Sequence, residues 1–223
     1  MITSASNPRL KLIRRLQSRR QRERLGLFVC EGKDLVEAGR DAGAEPVDLL
    51  VAEEDVEPGL LAEVSTLAHP PRVMAIFRRA DLPPAGEAAA GLALWRVADP
   101  GNVGTLIRAA DAFGASLFLS AGCADPTGPK ALRASMGSVF RVPVGRFDDA
   151  PSRRIALVPR GGAPLNEVDL SEPVTFVLGA EREGLPRDVV GACDALASIP
   201  LADGAESLNV AVAGAIALYE LRR

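Results

Sequence analysis

Short apolar segments that alternate with helix-forming segments constrain the fold of this 223-residue chain more than any other feature. Alternation of this kind predicts an α/β fold with a mostly parallel sheet that is covered by helices on both faces. Ligands of such sheets bind at the carboxyl ends of the strands, so the loops after the strands are candidate sites. In the carboxyl-terminal part, strands are expected at 92–97, 117–120, 155–158, 174–178 and 196–199, and helices at 105–113, 129–136 and 208–221.

A smaller α/β pattern precedes this part of the chain. A stretch rich in alanine, proline and glycine separates the two patterns at 81–91, and this composition is typical of a linker. We therefore expect a small α/β domain at 1–85 and a larger α/β domain at 86–223, both of ordinary domain size. In the smaller domain, strands are expected at 27–30, 46–51 and 73–77, and helices at 34–41 and 58–68.

Charge is distributed unevenly along a chain whose total is close to neutral, with 26 basic and 29 acidic residues. That total alone would argue against a nucleic-acid-binding protein. However, eight cations and one carboxylate lie in 7–24, whereas seven carboxylates and no cation lie in 41–60. The segment 7–24 is predicted to form one amphipathic helix with a basic face, capped by Ser6 or Asn7 and with Pro8 at its first position. Such a face favours contact with phosphates, and a merely solvated helix face is the alternative.

The cysteines, the histidine and the composition exclude several classes of protein. Cys30, Cys123 and Cys193 lie far apart, so we expect neither a disulfide framework nor a CxxC motif, and a cytoplasmic location. His69 is the only histidine and precedes two prolines, so we expect it in a turn and expect no metal site. The first residues are polar and basic, so no secretory signal is expected. A composition of 48% hydrophobic and 25% charged residues argues against a membrane protein.

The segment DPGNVGTLIRAADAFGA, which starts at Asp99, joins a predicted strand to a glycine-bearing turn and a helix. Free backbone NH groups at a helix start can bind an anion, and Asn102 adds a neutral donor and acceptor. The GxxG spacing is neither the GxGxxG of dinucleotide sites nor a P-loop. A phosphate-binding turn and a plain structural turn therefore both remain open on spacing alone.

Two further loops carry unusual polar residues. FVLGAEREGLP, from Phe176, places Glu181 and Glu183 between two glycines, where they are candidates for an acid and a base or for loop caps. IPLADGAESLNVAVAGAIALYE, from Ile199, places Ser207 as a candidate cap and Asn209 at the start of an apolar helix, where a polar side chain is costly without a partner. The small residues of this helix suit either a dimer interface or close packing inside one domain.

In this order and with these separations, the three segments resemble the signature motifs of the SpoU (TrmH-like) branch of the SPOUT RNA methyltransferases. The segment KALRASMGSVFRVPV fits the same family, and the resemblance covers 92–221. The segments SNPRLKLIRRL, FVCEG and AHPPRVMAIF are similar to a substrate-binding domain whose fold is like that of ribosomal protein L30e. The resemblance implies a carboxyl-terminal, trefoil-knotted SPOUT methyltransferase domain with a mostly parallel sheet, preceded by a small L30e-like α/β domain.

The resemblance also implies an activity, which is methyl transfer from S-adenosylmethionine to a ribose 2'-hydroxyl of RNA by a homodimer. We expect 23S ribosomal RNA as the substrate, because the L30e-like domain favours structured ribosomal RNA, and transfer RNA is the alternative. A non-catalytic RNA-binding protein on the same fold would not need to retain the polar motif residues. A nucleotide-dependent oxidoreductase would need a glycine fingerprint, which this sequence lacks.

Roles for individual residues follow from the same resemblance. Arg108 matches the catalytic arginine of the family, and we expect it to bind the target phosphate and orient the hydroxyl, because an arginine is normally protonated. Ala180 stands where many members have asparagine or serine. The other catalytic candidates are Asn102, Glu181, Ser207 and Asn209. The cofactor-binding candidates are Leu178, Gly179, Ala180, Gly184, Ile199, Leu201, Ser207 and Leu208. The RNA-binding candidates are Arg9, Lys11, Arg14, Arg15, Arg19, Arg20 and Arg108.

Overall fold

A small antiparallel sheet with its helices forms the amino-terminal part of the protein, seen in a computed structural model that describes residues 1–86, 88–151 and 153–223. The elements in this part are α1 (Pro8–Leu16), α2 (Arg19–Leu25), β1 (Leu27–Glu31), α3 (Lys33–Asp41), β2 (Asp48–Val51), α4 (Pro58–Val64) and β3 (Val73–Arg78). In the described residues, the three strands pair in the order β1-β3-β2.

A larger parallel sheet forms the carboxyl-terminal part and confirms the predicted α/β class. Its elements are β4 (Ala90–Leu94), α5 (Pro100–Phe113), β5 (Ser116–Leu119), α6 (Pro129–Ser135), β6 (Val144–Arg146), β7 (Arg154–Leu157), β8 (Ala163–Pro164), β9 (Val174–Leu178), α7 (Arg187–Gly191), β10 (Ala195–Ser198) and α8 (Val210–Leu221). Within the ranges that the structure describes, the seven strands run in the order β6-β5-β4-β9-β7-β10-β8, and every pairing is parallel.

The basic segment 7–24 forms two helices, so the prediction of one continuous helix is wrong. The side chain of Asn7 caps α1 by accepting the NH of Arg9, and Ser18 is extended between the two helices. The break lets Arg22 turn back, and its Nη1 donates to the carbonyl oxygens of Leu16 and residue 17 at 2.8 and 2.9 Å. These bonds satisfy carbonyls that the end of α1 would otherwise leave without a donor.

The small sheet is covered on both faces because its side chains alternate. Val29, Met74 and Ile76 face α1 and α4 and belong to a core cluster with residues of those helices. Phe28 and Phe77 face the opposite way and pack around Phe140 of the carboxyl-terminal part, with ring centroids 5.8 and 5.1 Å from that of Phe140. The two parts of the protein therefore share one hydrophobic core.

Close helix packing behind the large sheet depends on two glycines. A Cβ on Gly104 of α5 would lie 2.4 Å from the carbonyl oxygen of Ala131 in α6. A Cβ on Gly214 of α8 would lie 2.4 Å from Cδ2 of Leu106. One side of α8 is thus packed inside this chain, while Tyr219 on that helix is 59% exposed. No helix in the described part of the chain is long and apolar enough to cross a membrane.

Candidate active site

Three loops that are distant in the sequence meet at the carboxyl ends of β4 and β9, which are neighbours in the large sheet. Nδ2 of Asn102 donates to Oε1 of Glu181 at 2.8 Å, and Nδ2 of Asn209 donates to Oδ1 of Asn102 at 3.0 Å. Asn102 therefore links the other two side chains through both ends of its amide. We refer to these three residues as the Asn–Glu–Asn network.

The first member of the network is held by the start of α5. The carboxylate of Asp99 caps this helix by accepting the NH of Asn102 at 3.0 Å, and Nζ of Lys130 donates to the same carboxylate at 2.8 Å. The hydrogen bond from Lys130, followed by that from the backbone of Asn102, lowers the pKa of Asp99 below its ordinary value. Asp99 consequently stays ionised and keeps its cap in mildly acidic solution.

The third member of the network caps α8. Oδ1 of Asn209 accepts the NH groups of Ala211 and Val212 at 2.8 and 3.3 Å, and the helix begins at the following residue, Val210. The expectation that Ser207 caps a helix from position 208 is therefore wrong. An asparagine can cap with its oxygen and still donate with its nitrogen, which explains how a polar residue is accommodated beside an apolar helix.

A cleft of about 740 Å³ lies beside the network, between the loops that follow β7, β9 and β10 and the start of α8. This volume is within the range of small-molecule and cofactor sites. All eight cofactor-binding candidates line it, together with Glu181 and Asn209 of the network. They are Leu178, Gly179, Ala180, Gly184, Ile199, Leu201, Ser207 and Leu208.

Two glycines shape the loop after β9 into one wall of this cleft. A Cβ on Gly179 would lie 2.3 Å from the carbonyl carbon of Gly184, so no larger residue fits at position 179. Gly184 adopts a left-handed conformation with φ of +66°, and its NH donates to the carbonyl of Ala180 at 2.9 Å. The loop therefore folds back on itself between Ala180 and Gly184, and its residues 179–185 line the cleft.

Arg108 lies outside the network. It is exposed on α5, six residues or roughly 9 Å along the helix axis beyond Asn102, and it forms no hydrogen bond or ion pair with any described residue. Ser207 is also exposed and lines the cleft without joining the network. The structure thus brings three of the five catalytic candidates into direct contact and leaves the guanidinium of Arg108 available to a substrate.

The six amino-terminal RNA-binding candidates divide into paired and unpaired cations. Arg9 pairs with Asp48, Arg14 with Glu63 at 3.2 Å, and Arg19 with Glu23 at 2.8 Å. Acidic residues of the amino-terminal part therefore neutralise half of the basic face. Among the described residues, Lys11, Arg15 and Arg20 are exposed and have no ion-pair partner.

One arginine of this segment has a role that the sequence pattern does not reveal. Arg22 is 4% exposed, and its Nε donates to Oδ2 of Asp125 at 2.8 Å, across 103 positions of sequence. Oδ1 of Asp125 accepts the backbone NH and the hydroxyl of Thr127. No signal in the sequence distinguishes this arginine from its exposed neighbours. The described residues contain no group of three or more histidine, cysteine, aspartate or glutamate side chains that could hold a metal ion.

The fold and the site define an α/β protein with a cofactor-sized cleft at the carboxyl edge of a parallel sheet, preceded by a part with a basic surface. Comparison with known families identifies it further. The profile of the SpoU rRNA Methylase family matches residues 90–219, and the profile of the MRM3-like substrate binding domain matches residues 7–77. The chain belongs to the SpoU rRNA methylase family, which confirms the predicted family and methyltransferase class.

Similar proteins span nearly the whole chain. The 23S rRNA (guanosine(2553)-2'-O)-methyltransferase RlmP of Bacillus subtilis is 33% identical over 99% of this chain and 98% of its own length. A 23S rRNA (uridine(2479)-2'-O)-methyltransferase of Streptomyces viridochromogenes is 35% identical over 74% of this chain and 65% of its own length. The AdoMet-bound rRNA methyltransferase of Sinorhizobium meliloti superposes with a TM-score of 0.87 and 33% identity, covering 100% of this chain and 97% of that one.

Proposed function

We propose that the protein transfers the methyl group of S-adenosylmethionine to a ribose 2'-hydroxyl of 23S ribosomal RNA. One observation carries the proposal, which is that the cleft lined by all cofactor-binding candidates also contains Glu181 and Asn209 of the Asn–Glu–Asn network. A cofactor in that cleft and a nucleotide beside the network would be neighbours. Relatives that match this chain are named 23S rRNA 2'-O-methyltransferases, which supports the same substrate.

The lining of the cleft suits S-adenosylmethionine. Apolar side chains, among them Leu178, Ile199 and Leu201, would pack against the adenine, and the tight turn between Gly179 and Gly184 leaves backbone groups near the ligand. Bound there, the cofactor supplies an electrophilic methyl group on a positively charged sulfur. The protein then needs to align a ribose hydroxyl, which is a weak nucleophile, and to receive its proton.

The remaining polar residues are assigned to that alignment. Arg108 is exposed and without a partner among the described residues, so we assign it to the phosphate of the target nucleotide, where its planar guanidinium forms two parallel hydrogen bonds. Glu181 uses only Oε1 in its bond to Asn102, so its second oxygen can accept a hydrogen bond from the ribose. Both amide ends of Asn102 are engaged within the network, which makes it a positioning residue.

RNA affinity is assigned to the exposed cations of α1 and α2, chiefly Lys11, Arg15 and Arg20. Arg14 and Arg19 can join them where a phosphate displaces an exposed carboxylate partner, and Arg9 can join them where a phosphate displaces the half-buried Asp48. Each phosphate contact releases counterions, so the affinity falls steeply as salt is raised. Binding of a 23S ribosomal RNA transcript measured across a salt series tests this assignment, and an affinity that is independent of salt would contradict it.

The proposal includes a homodimer, a trefoil knot formed by the segment after β9, and action in the cytoplasm, where ribosomal RNA is modified. An apolar strip on α8 supports the dimer, since Val212 and Tyr219 are 46% and 59% exposed on the side away from Gly214. Analytical ultracentrifugation of the full chain measures the assembly. Replacing Val212 and Tyr219 with aspartate and serine should shift the mass from two chains to one, and an unchanged mass would exclude this strip.

Methyl transfer itself is tested with purified protein in two assays. Calorimetry should detect S-adenosylmethionine binding. With a tritium-labelled methyl group on the cofactor, transfer of that methyl group to protein-free 23S ribosomal RNA should be measurable. Arg108→Ala should abolish transfer while leaving the cofactor affinity within about twofold, because Arg108 does not line the cleft. A flat titration of the wild type would remove the proposal, and joint loss of cofactor binding in Arg108→Ala would assign that residue a different role.

A further inference from the structure

Arg96 has a backbone conformation that disfavours its own side chain. Its φ is +53°, in the left-handed region where a Cβ crowds the backbone and glycine or asparagine is usual. In the described part of the chain, the other non-glycine residues with positive φ are Glu53, in a turn, and Met136, which ends α6. Arg96 instead lies between β4 and α5, two residues beyond the carboxyl end of a central strand.

Neighbouring strands on both sides impose this conformation. The NH of Trp95 donates to the carbonyl oxygen of Leu178 at the end of β9, at 2.8 Å. The NH of Arg96 donates to Oγ of Ser120, just after β5, at 2.8 Å. Both bonds use main-chain NH groups of the segment after β4, so a glycine at position 96 would form them without steric cost. The backbone therefore gives no reason for an arginine here, and the reason must lie in its side chain.

The side chain of Arg96 is directed along a second cleft next to the Asn–Glu–Asn network. A Cβ on Gly122 would lie 3.4 Å from Cγ and 3.5 Å from Nε of Arg96, so the stem of the arginine crosses this glycine. Arg96, Asp99, Glu181 and other residues line a cleft of about 480 Å³. Arg96 is exposed and forms no side-chain hydrogen bond or ion pair with any residue that the structure describes.

Two of the three carboxylates that line this cleft are engaged by other groups, and the third, Glu183, forms no hydrogen bond or ion pair with Arg96 or any other described residue. Asp99 accepts bonds from Lys130 and from the start of α5, and Glu181 accepts the amide of Asn102. The guanidinium of Arg96 is thus a cation without a protein partner, placed at the edge of the network. Carboxylates and phosphates both bind such a fork in two parallel hydrogen bonds, and in an RNA substrate the group of this kind is the backbone phosphate.

We propose that Arg96 is a further RNA-binding residue, which holds a backbone phosphate of the substrate adjacent to the methylated ribose. The inference rests on the proposed function, because it takes the network as the place where the ribose binds. It assigns to Arg96 a contact with substrate only, separate from the cofactor cleft, whose lining does not include this residue. The conformational cost at position 96 is then maintained by selection for RNA binding.

Three full-length variants test the proposal. Arg96→Gly removes both the guanidinium and the steric conflict, and Arg96→Lys retains the charge but not the planar fork. Glu53→Gly is the matched control, because it relaxes a left-handed residue with φ of +71° in the amino-terminal part. Each is compared with the wild type for melting temperature, calorimetric S-adenosylmethionine affinity, and affinity for and methylation of a protein-free 23S ribosomal RNA transcript.

The proposal predicts opposite effects on folding and on RNA binding. Arg96→Gly should melt no lower than the wild type, bind cofactor equally, and bind RNA about tenfold more weakly, with a salt slope reduced by about one. The RNA affinity of Arg96→Lys should lie between those of the wild type and Arg96→Gly, and Glu53→Gly should bind RNA as the wild type does. Unchanged RNA affinity in Arg96→Gly would overturn the inference, as would a parallel fall in melting temperature and cofactor affinity. Failure of the wild type to methylate RNA would instead overturn the proposed function.

Discussion

Replacing Arg22 with methionine is expected to destabilise the whole protein, because this residue joins the two parts of the chain through a buried charge. The side chains of Arg22 and Asp125 are each 5% exposed. The guanidinium donates to Oδ2 of Asp125 and also to the carbonyl of Leu16, so the variant leaves that buried oxygen and helix-end carbonyls without their donor, while Thr127 still donates to Oδ1. Breaking a buried pair from one side costs about 3–5 kcal/mol.

At about 2–4 °C per kcal/mol for a chain of this size, the melting temperature of Arg22→Met should fall by about 6–20 °C. Differential scanning calorimetry measures the shift. Glu63→Gln is the matched control, since it breaks the pair between Arg14 and Glu63, whose side chains are 38% and 55% exposed, respectively. Loss of this exposed pair should cost at most about 1 kcal/mol. A melting temperature of Arg22→Met within 2 °C of the wild type would refute this account of the interface.

A double variant and a pH series separate charge from packing. Arg22→Met combined with Asp125→Leu removes both charges and should recover more than half of the loss, whereas additive losses would show that the pair is not coupled. Burial raises the pKa of Asp125, but the hydrogen bonds from Thr127 and the charges of Arg22 and Arg79 outweigh it and lower the pKa below its ordinary value. The contribution of Asp125 is therefore complete above about pH 4 and is lost as the pH falls further.

Two smaller perturbations test the packing behind the site and the cap within it. Gly104→Ala should lower the free energy of unfolding by about 1–3 kcal/mol, because its Cβ would meet the carbonyl of Ala131. Urea titration measures this loss, with Gly59→Ala in α4 as the control, because nothing lies within 4 Å of a Cβ at that position and no stability should be lost. Equal free energies of unfolding for the two variants would contradict the close packing at Gly104. Asn209→Ala should lose about 0.5–2 kcal/mol with the cap of α8. Asn209→Asp keeps the capping oxygen but not the donor to Asn102, so it should regain stability and still lose methyl transfer; full activity in that variant would make the bond unnecessary.

Elements with a continuous apolar pattern follow from the sequence more closely than elements that depend on caps. The strand predicted at 174–178 is β9 with the same bounds. In contrast, α5 begins at Pro100, five residues before the predicted start, because Asp99 caps it and Gly104 packs against α6. In the sequence, Gly101 and Gly104 are typical of a loop, but in the structure both lie in α5, and the close approach of α6 requires a glycine at position 104.

Contacts across long sequence separations explain what the pattern could not predict. The basic residues of segment 7–24 look equivalent, yet the helix breaks at residues 17 and 18, Arg22 of α2 pairs with Asp125, and Arg9 pairs with Asp48. Within the site, the motifs identify the loops that meet, but a motif does not say which side chains touch. The pairing of Asn102 with both Glu181 and Asn209 depends on the adjacency of β4 and β9 and on the start of α8.

The aromatic cluster of Phe28, Phe77 and Phe140 has a consequence for how a nucleotide is chosen. A shift of the amino-terminal sheet relative to the large sheet would expose these rings. Burial of each ring stabilises the fold by about 1.5–3 kcal/mol. The packing of these rings therefore fixes the distance between the basic helices and the cleft. Under the proposed function, we expect the target to be selected by the distance between two features of a folded RNA, so an RNA whose fold is lost by melting should not be methylated.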